Sequence, residues 1–144
     1  MFRRILVPCD GSQGGERALF KAIELAKLCE AELVLLTIYR HHSLLEASFS
    51  MVRPEDPGNL DDAMRGHATD VVNYAKRIAT DAGLKPRAFV KAGQPARGIV
   101  AFATEHDCDL IVMGSRGLGS IEGYLLGSVS HKVTGLAGCP VMVV

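Results

Sequence analysis

Apolar and polar positions follow two rhythms along this chain, and the rhythm changes at short intervals. Ile5-Leu6-Val7-Pro8-Cys9 is a short apolar run that stops at Asp10-Gly11-Ser12, a turn and helix-cap cluster. Ala18, Ala22, Leu25, Ala26 and Cys29 then recur at helical spacing to about Glu30. Leu33 to Tyr39 is apolar and β-prone. Arg40 to Gly58 shows no period, carries two prolines and reads as a long loop. Helical spacing returns from Asn59 to Ala82, with Gly83 placed as a C-cap. Arg87 to Ala92 reads as a strand, Ala96 to Glu105 as a helix and Asp109 to Met113 as a buried strand. After a glycine-rich stretch comes a short helix, Ser128 to Ala137. Gly138 and Pro140 end it before a last strand, Val141 to Val144.

The result is β-α-β-α-β-α-β-α-β in one domain over residues 1–144, without internal repeat or linker. Such alternation implies a mostly parallel sheet with helices on both faces, so the expected fold is a doubly wound, Rossmann-like α/β domain. Ligands of such sheets lie beyond the carboxyl ends of the strands, where the winding reverses. Pro8 to Ser12, Ile38 to Arg40, Ala92 to Pro95 and the residues after Met113 are therefore the places to examine.

Composition narrows the function. With 48% hydrophobic and 22% charged residues, neither disorder nor a collagen-like repeat is expected. Sixteen basic residues balance 16 acidic ones, which removes the usual basic excess of a nucleic-acid-binding domain. The halves differ: residues 1–70 hold 8 basic and 11 acidic side chains (−3), residues 71–144 hold 8 and 5 (+3). An anionic ligand suits the second half better. No apolar run approaches the ~18 residues of a membrane span, and the run after Arg3-Arg4 is too short for a secretory leader. Cys9, Cys29, Cys108 and Cys139 lie far apart without a C-x-x-C. They read as reduced, packed thiols of a cytoplasmic protein rather than a zinc cluster or disulfide framework.

The glycine-rich stretch carries the chemistry. Met113-Gly114-Ser115-Arg116-Gly117-Leu118-Gly119-Ser120 follows a buried strand, and the segment returns through Gly127-Ser128-Val129-Ser130 into a helix. Glycines let the backbone come close to a ligand, so that several N–H groups point at one anion. The first turn of a helix adds unpaired N–H groups and a favourable dipole, and Arg116 adds a cation. A plain strand-to-helix connection would not need this length. The Walker A pattern fails because Ser120 stands where lysine is required. The dinucleotide fingerprint fails because Glu122 stands where a glycine is required, and because this loop follows the fourth strand instead of the first.

Gly114-x2-Gly117-x9-Gly127-Ser128 resembles the G-x2-G-x9-G-[ST] signature of the ATP-binding universal stress proteins. The resemblance extends over nearly the whole chain. It includes Ile5 to Ser12, Leu35 to Ile38, Gly93-Gln94-Pro95-Ala96, Ile111 to Gly117 and Cys139 to Val144. It implies a five-stranded sheet of order 3-2-1-4-5, a homodimer and bound ATP, with Mg²⁺ carried mainly by the phosphates. It also implies that Asp10 faces the ribose or adenine beside the backbone of Pro8, and that Ile38 offers its backbone to the adenine edge. Met113, Gly114, Ser115, Arg116 and Gly117, with Gly127, Ser128, Val129 and Ser130, would then hold the phosphates.

Other candidates are weaker. Asp10 can equally cap the first helix or close an Asx turn, since Gly11-Ser12 follow. Cys9 reads as a small buried strand residue. His41-His42 are adjacent on extended chain and lack a third ligand, so they read as solvated loop residues. Asp61-Asp62, Glu55-Asp56 and Asp107-Asp109 read as helix-start and turn residues without an accompanying base or nucleophile. Val141, Val143 and Val144 form an apolar strand at a sheet edge, suited to pairing with a second copy or to burial within the monomer. An adenylyltransferase or ATP pyrophosphatase on this architecture would need H-x-G-H or S-G-G-x-D-S, and neither occurs. The expectation is a nucleotide-binding regulatory module without a catalytic group.

Overall fold

The computed structural model describes residues 1–40, 57–115 and 126–144, the side chains of 57–59 excepted. Strands and helices alternate in the expected order: β1 (Arg4–Pro8), α1 (Gln13–Cys29), β2 (Glu32–Tyr39), α2 (Pro57–Asp81), β3 (Arg87–Ala92), α3 (Pro95–Glu105), β4 (Leu110–Met113), α4 (Ser128–Leu136) and β5 (Val141–Val143). The strands form one sheet in the order β3-β2-β1-β4-β5, parallel at every pairing. This is the doubly wound order 3-2-1-4-5.

Side-chain alternation divides the core in two. Ile5, Val7, Leu33, Leu35, Leu110 and Val112 pack with Ala18, Ala22 and Ala26 of α1 and with Val72, Ala75 and Ala79 of α2. Leu6, Val34, Leu36, Ile111 and Met113 face the other way, against Ala96, Ile99, Phe102 and Ala103 of α3 and Val133 of α4. Strands flanked on both sides lose the polar–apolar alternation, which explains the continuous apolar runs of β1, β2 and β4.

Local signals set the ends of the helices. In the turn before α1, Asp10 Oδ1 accepts from Ser12 N at 2.9 Å, an Asx turn. Gly11 adopts φ +82° there, where a side chain would be strained. Ser12 is the N-cap, its Oγ accepting from Gly15 N at 3.0 Å. Gly83 closes α2 as expected: Leu84 N donates to Ala79 O at 3.1 Å and Gly83 N to Thr80 O at 2.9 Å, the Schellman pattern. Helix α2 begins at Pro57, two residues before the start that periodicity suggests, because proline suits a first helical turn. The remainder of the expected loop, 41–56, with His41, His42, Glu55 and Asp56, lies outside the described residues.

The amino-terminal ends of the strands are tied by carboxylates. Asp109 accepts from Arg3 N at 2.8 Å and Arg4 N at 3.0 Å. Glu32 receives Arg4 Nε at 2.8 Å and Arg87 Nη1 at 3.3 Å, and Arg4 Nη1 also donates to the His106 carbonyl. The His106 ring stacks on Phe102 with centroids 3.8 Å apart. Among the described residues, no helix is long and apolar enough to cross a membrane.

Candidate functional site

The winding reverses between β1 and β4, so the crevice expected for a ligand lies beyond Pro8 and Met113. Gly114, the first residue past β4, meets the opening turn of α1. A Cβ at Gly114 would stand 2.7 Å from Gly14 C and 2.8 Å from Gly14 O. Only glycine lets these two main chains approach so closely. At the opening of α1 a Cβ on Gly15 would lie 2.9 Å from Asp10 Oδ1, a side-chain atom that can yield where the Gly14 backbone cannot.

Ser115 is the hub of this end of the molecule. Its N–H donates to Val144 O at 2.9 Å, anchoring the chain past β5. Its carbonyl accepts from Gly127 N at 2.5 Å and from Ser130 Oγ at 3.0 Å. Ser130 is 3% exposed, and its hydroxyl also lies 3.1 Å from Gly127 O. Gly114-Ser115 and Gly127 to Ser130, far apart in sequence, are thereby held together. Gly127 is the N-cap of α4 and makes no side-chain cap bond. The N–H groups of Ser128, Val129 and Ser130 lie in the first turn, where helix geometry provides no internal acceptor. Main-chain donors and a helix dipole converge there, the arrangement that favours an anion.

The other expected residues fall around this cradle. Pro8 ends β1, and Cys9 N still reaches Leu36 O at 2.8 Å. Asp10 is exposed at the mouth, with Ser12 Oγ donating to its Oδ1 at 2.5 Å. It closes the Asx turn, and Ser12 caps the helix. Ile38 lies near the end of β2, with β1 between it and β4. Two inter-strand spacings, about 10 Å, therefore separate it from Gly114, a span on the scale of a nucleoside. The Ile38 side chain leans on α3, where a Cβ at Gly98 would meet its Cδ1 at 2.5 Å. Its backbone is thus the part turned along the strand end. Met113 is 5% exposed and belongs to the core between the sheet and α3. It can serve a ligand only through its main chain. Arg116, Gly117 and Glu122 lie outside the described residues.

Cys9 packs against the α1–α2 core, but it lies just past the end of β1 and is half-buried, where a buried strand residue was expected. Burial pushes its thiol up to about 12, and the charge of Asp10 adds to the effect, so the reactive thiolate is disfavoured. Asp109 is more than a turn residue, since it binds the two N–H groups that open β1. Burial alone would raise its carboxyl, but the hydrogen bonds from Arg4 and Arg3 outweigh it and hold the pKa below the usual value. Among the described residues, no group of three or more His, Cys, Asp or Glu side chains gathers to hold a metal ion.

A groove of about 190 Å³ lies between the amino-terminal end of α3 and the length of α4, lined in part by Arg40, Gln94, Arg97, Ser128, Lys132 and Leu136. Arg97 and Lys132 were not among the residues expected from sequence. Two signals pointed toward them: the +3 balance of the second half, and the position of Lys132 one turn beyond Ser128 on the same helix face. On the opposite side of the sheet, the buried Thr37 hydroxyl has no hydrogen-bond partner among the described residues.

Taken together, these features define a doubly wound α/β protein with main-chain donors gathered at its switch point. The universal stress protein family profile matches residues 1–144. Universal stress protein YxiE of Bacillus subtilis is 34% identical over 147 residues, covering all of this chain and 99% of that protein. The chain belongs to the universal stress protein family. Among solved structures, universal stress protein UspA from Lactobacillus plantarum superposes with a TM-score of 0.84 at 26% identity, covering 99% of this chain and 97% of that one. A universal stress protein in complex with cAMP superposes with a TM-score of 0.75 at 25% identity over 99% of this chain and 97% of that one.

Proposed function

We propose that this protein is an ATP-binding universal stress protein, a cytoplasmic regulatory module that holds the nucleotide and turns it over slowly or not at all. The observation that carries the reading is the Ser115 carbonyl, which takes Gly127 N–H and Ser130 Oγ together and so joins the two halves of the glycine signature. The cAMP-bound relative supports adenine as the base. In this reading the phosphates occupy the cradle of Gly114 to Gly117 and Gly127 to Ser130. Asp10 and the Pro8 backbone meet the ribose, the Ile38 backbone meets the adenine edge, and Mg²⁺ rides on the phosphates. ATP supplies a charged, exchangeable signal, while the chain's own groups bind and orient it. N–H donors and serine hydroxyls suited to a ground-state phosphate give affinity without lowering a barrier.

Gly127→Val is expected to abolish ATP binding in calorimetric titration while the circular dichroism spectrum is retained. Unchanged affinity in the folded variant would refute the assignment. Single-turnover assays with labelled ATP test the absence of catalysis. Several turnovers per minute, lost in Glu122→Gln, would make the protein an ATPase. The half-buried edge strand β5 supports a homodimer paired through Val141–Val143. Val141→Glu should then give a monomer in sedimentation, and a monomeric native protein at high concentration would contradict the pairing.

A further inference from the structure

We propose that Cys108 and Cys139 are a redox pair, joined by a disulfide that a peroxide forms and a dithiol reductant opens. Both are free thiols in this structure. Thirty residues separate them in sequence, yet each stands three residues past the end of its helix, Cys108 after α3 and Cys139 after α4. Each leads into a strand, and those strands are neighbours, with Ile111 opposite Val141 and Ile111 N donating to Pro140 O at 3.0 Å. The same register carried back two residues sets Asp109 opposite Cys139, with Cys108 one position earlier. Strand spacing and rise then put the two Cα atoms about 6 Å apart, inside the range of about 4.4–6.8 Å that a disulfide spans.

The side chains also share a face. Strict alternation would send Cys108 to the α1–α2 side with Leu110, but the chain turns at Asp107, whose φ is +54°. Cys108 therefore joins the core beneath α3 and α4, and Cys139 packs against that same cluster. Cys108 is 7% exposed and Cys139 half-buried, so an oxidant meets Cys139 first. The Cys139 thiolate attacks a peroxide oxygen, the O–O bond breaks, and a sulfenic acid forms as hydroxide leaves. The Cys108 thiolate then attacks the sulfenic sulfur; the S–S bond forms, the S–O bond breaks, and the oxygen departs as water after taking a proton. Two thiols lose two electrons and two protons, and one peroxide becomes two waters. Arg4, whose Nη1 reaches the His106 carbonyl, favours the Cys108 thiolate. Burial outweighs it and holds the Cys108 thiol up at about 11, with the charges of Cys139, Asp109 and Glu32 adding to the rise; burial and then Asp109 also raise Cys139. The pair thus responds to sustained oxidation rather than to a brief pulse. Once closed, the ring spans β4, the glycine-rich segment and α4, and ties that limb together at its base.

The test treats the full chain, reduced and freed of reductant, with hydrogen peroxide, then alkylates it and digests it without reduction for mass spectrometry. The native protein is expected to lose two of its four alkylatable thiols. It should yield a Cys108–Cys139 linked peptide lighter by two hydrogen atoms, and dithiothreitol should restore both thiols. The thermal midpoint should rise by about 5–10 °C on oxidation and fall back on reduction. Cys108→Ser and Cys139→Ser should each abolish the linked peptide and the shift, and Cys29→Ser should keep both. Cys139→Ser, at the less buried position, retains the test if Cys108→Ser fails to fold. Four free thiols after prolonged exposure would overturn the proposal. Sulfinic acid on Cys139 without a link to Cys108, or a covalent dimer through Cys139, would overturn it equally.

Discussion

The two ends of the sheet solve the same problem in opposite ways. At the amino-terminal end the chain satisfies itself, because Asp109 takes two backbone N–H groups and Glu32 takes two guanidinium groups. At the carboxyl end side chains retreat and main chains crowd together, with Gly114 against Gly14 and the Ser115 carbonyl receiving Gly127 and Ser130. The first end is closed by internal charge pairing. The second leaves helix first turns and cations turned outward, an arrangement that would accept a negatively charged ligand. Stability and binding are thus separated along the strands of one parallel sheet, and substitutions at each end should have different signatures.

The largest effect is expected at the glycine contact. A methyl group at Gly114 would meet rigid backbone carbon and oxygen at 2.7 and 2.8 Å, with no flexible side chain to yield. Gly114→Ala should therefore cost about 2–3 kcal/mol in urea unfolding. Gly66, exposed within α2, has nothing within 4 Å of its absent Cβ. Gly66→Ala should instead stabilise by about 0.5–1 kcal/mol, through helix propensity alone. Equal effects of the two substitutions would remove the packing explanation for Gly114 and leave it purely a ligand residue.

These contrasts were unevenly legible in the sequence. Periodicity revealed every strand and helix described here, because burial on both faces writes itself as apolar runs at β1, β2 and β4, and one-faced burial as helical spacing. The glycine cradle was legible because glycine at fixed spacing is a local property of the chain. Two things were not. Asp109 looked like an ordinary turn residue, since its partners Arg3 and Arg4 come from the far end of the sequence and only the β1–β4 neighbourhood brings them together. Arg97 and Lys132 likewise sit on separate helices that become neighbours through the crossover. Local patterns report what a residue does within its own element, and long-range pairs depend on topology. Asp10 lies between these cases: its Asx turn with Ser12 was readable, while a ligand-facing role depends on what sits opposite.

The closed end can be tested by acid. The Asp109 carboxyl is held below its ordinary value despite burial, by the Arg4 and Arg3 N–H groups, and Glu32 is held down chiefly by its hydrogen bond from Arg4. In both cases the unfolded chain binds the proton more tightly than the folded one. Their stabilising contribution is therefore complete above the unfolded pKa values, near 4, and is lost as the pH falls through the lowered folded values. Asp109→Asn leaves an amide facing two N–H donors and should cost about 1–2 kcal/mol at pH 7. Glu32→Gln, whose partners are partly exposed, should cost less than about 1 kcal/mol. Urea midpoints measured from pH 7 down to pH 2 should show native and variant proteins converging below about pH 4. Nucleotide affinity at neutral pH should stay unchanged in both variants, because the carboxylates lie at the opposite end from the cradle. A constant stability gap between native protein and Asp109→Asn across that range would mean that the carboxylate's charge contributes nothing. A loss of nucleotide binding in the folded variant would mean that the two ends are coupled after all.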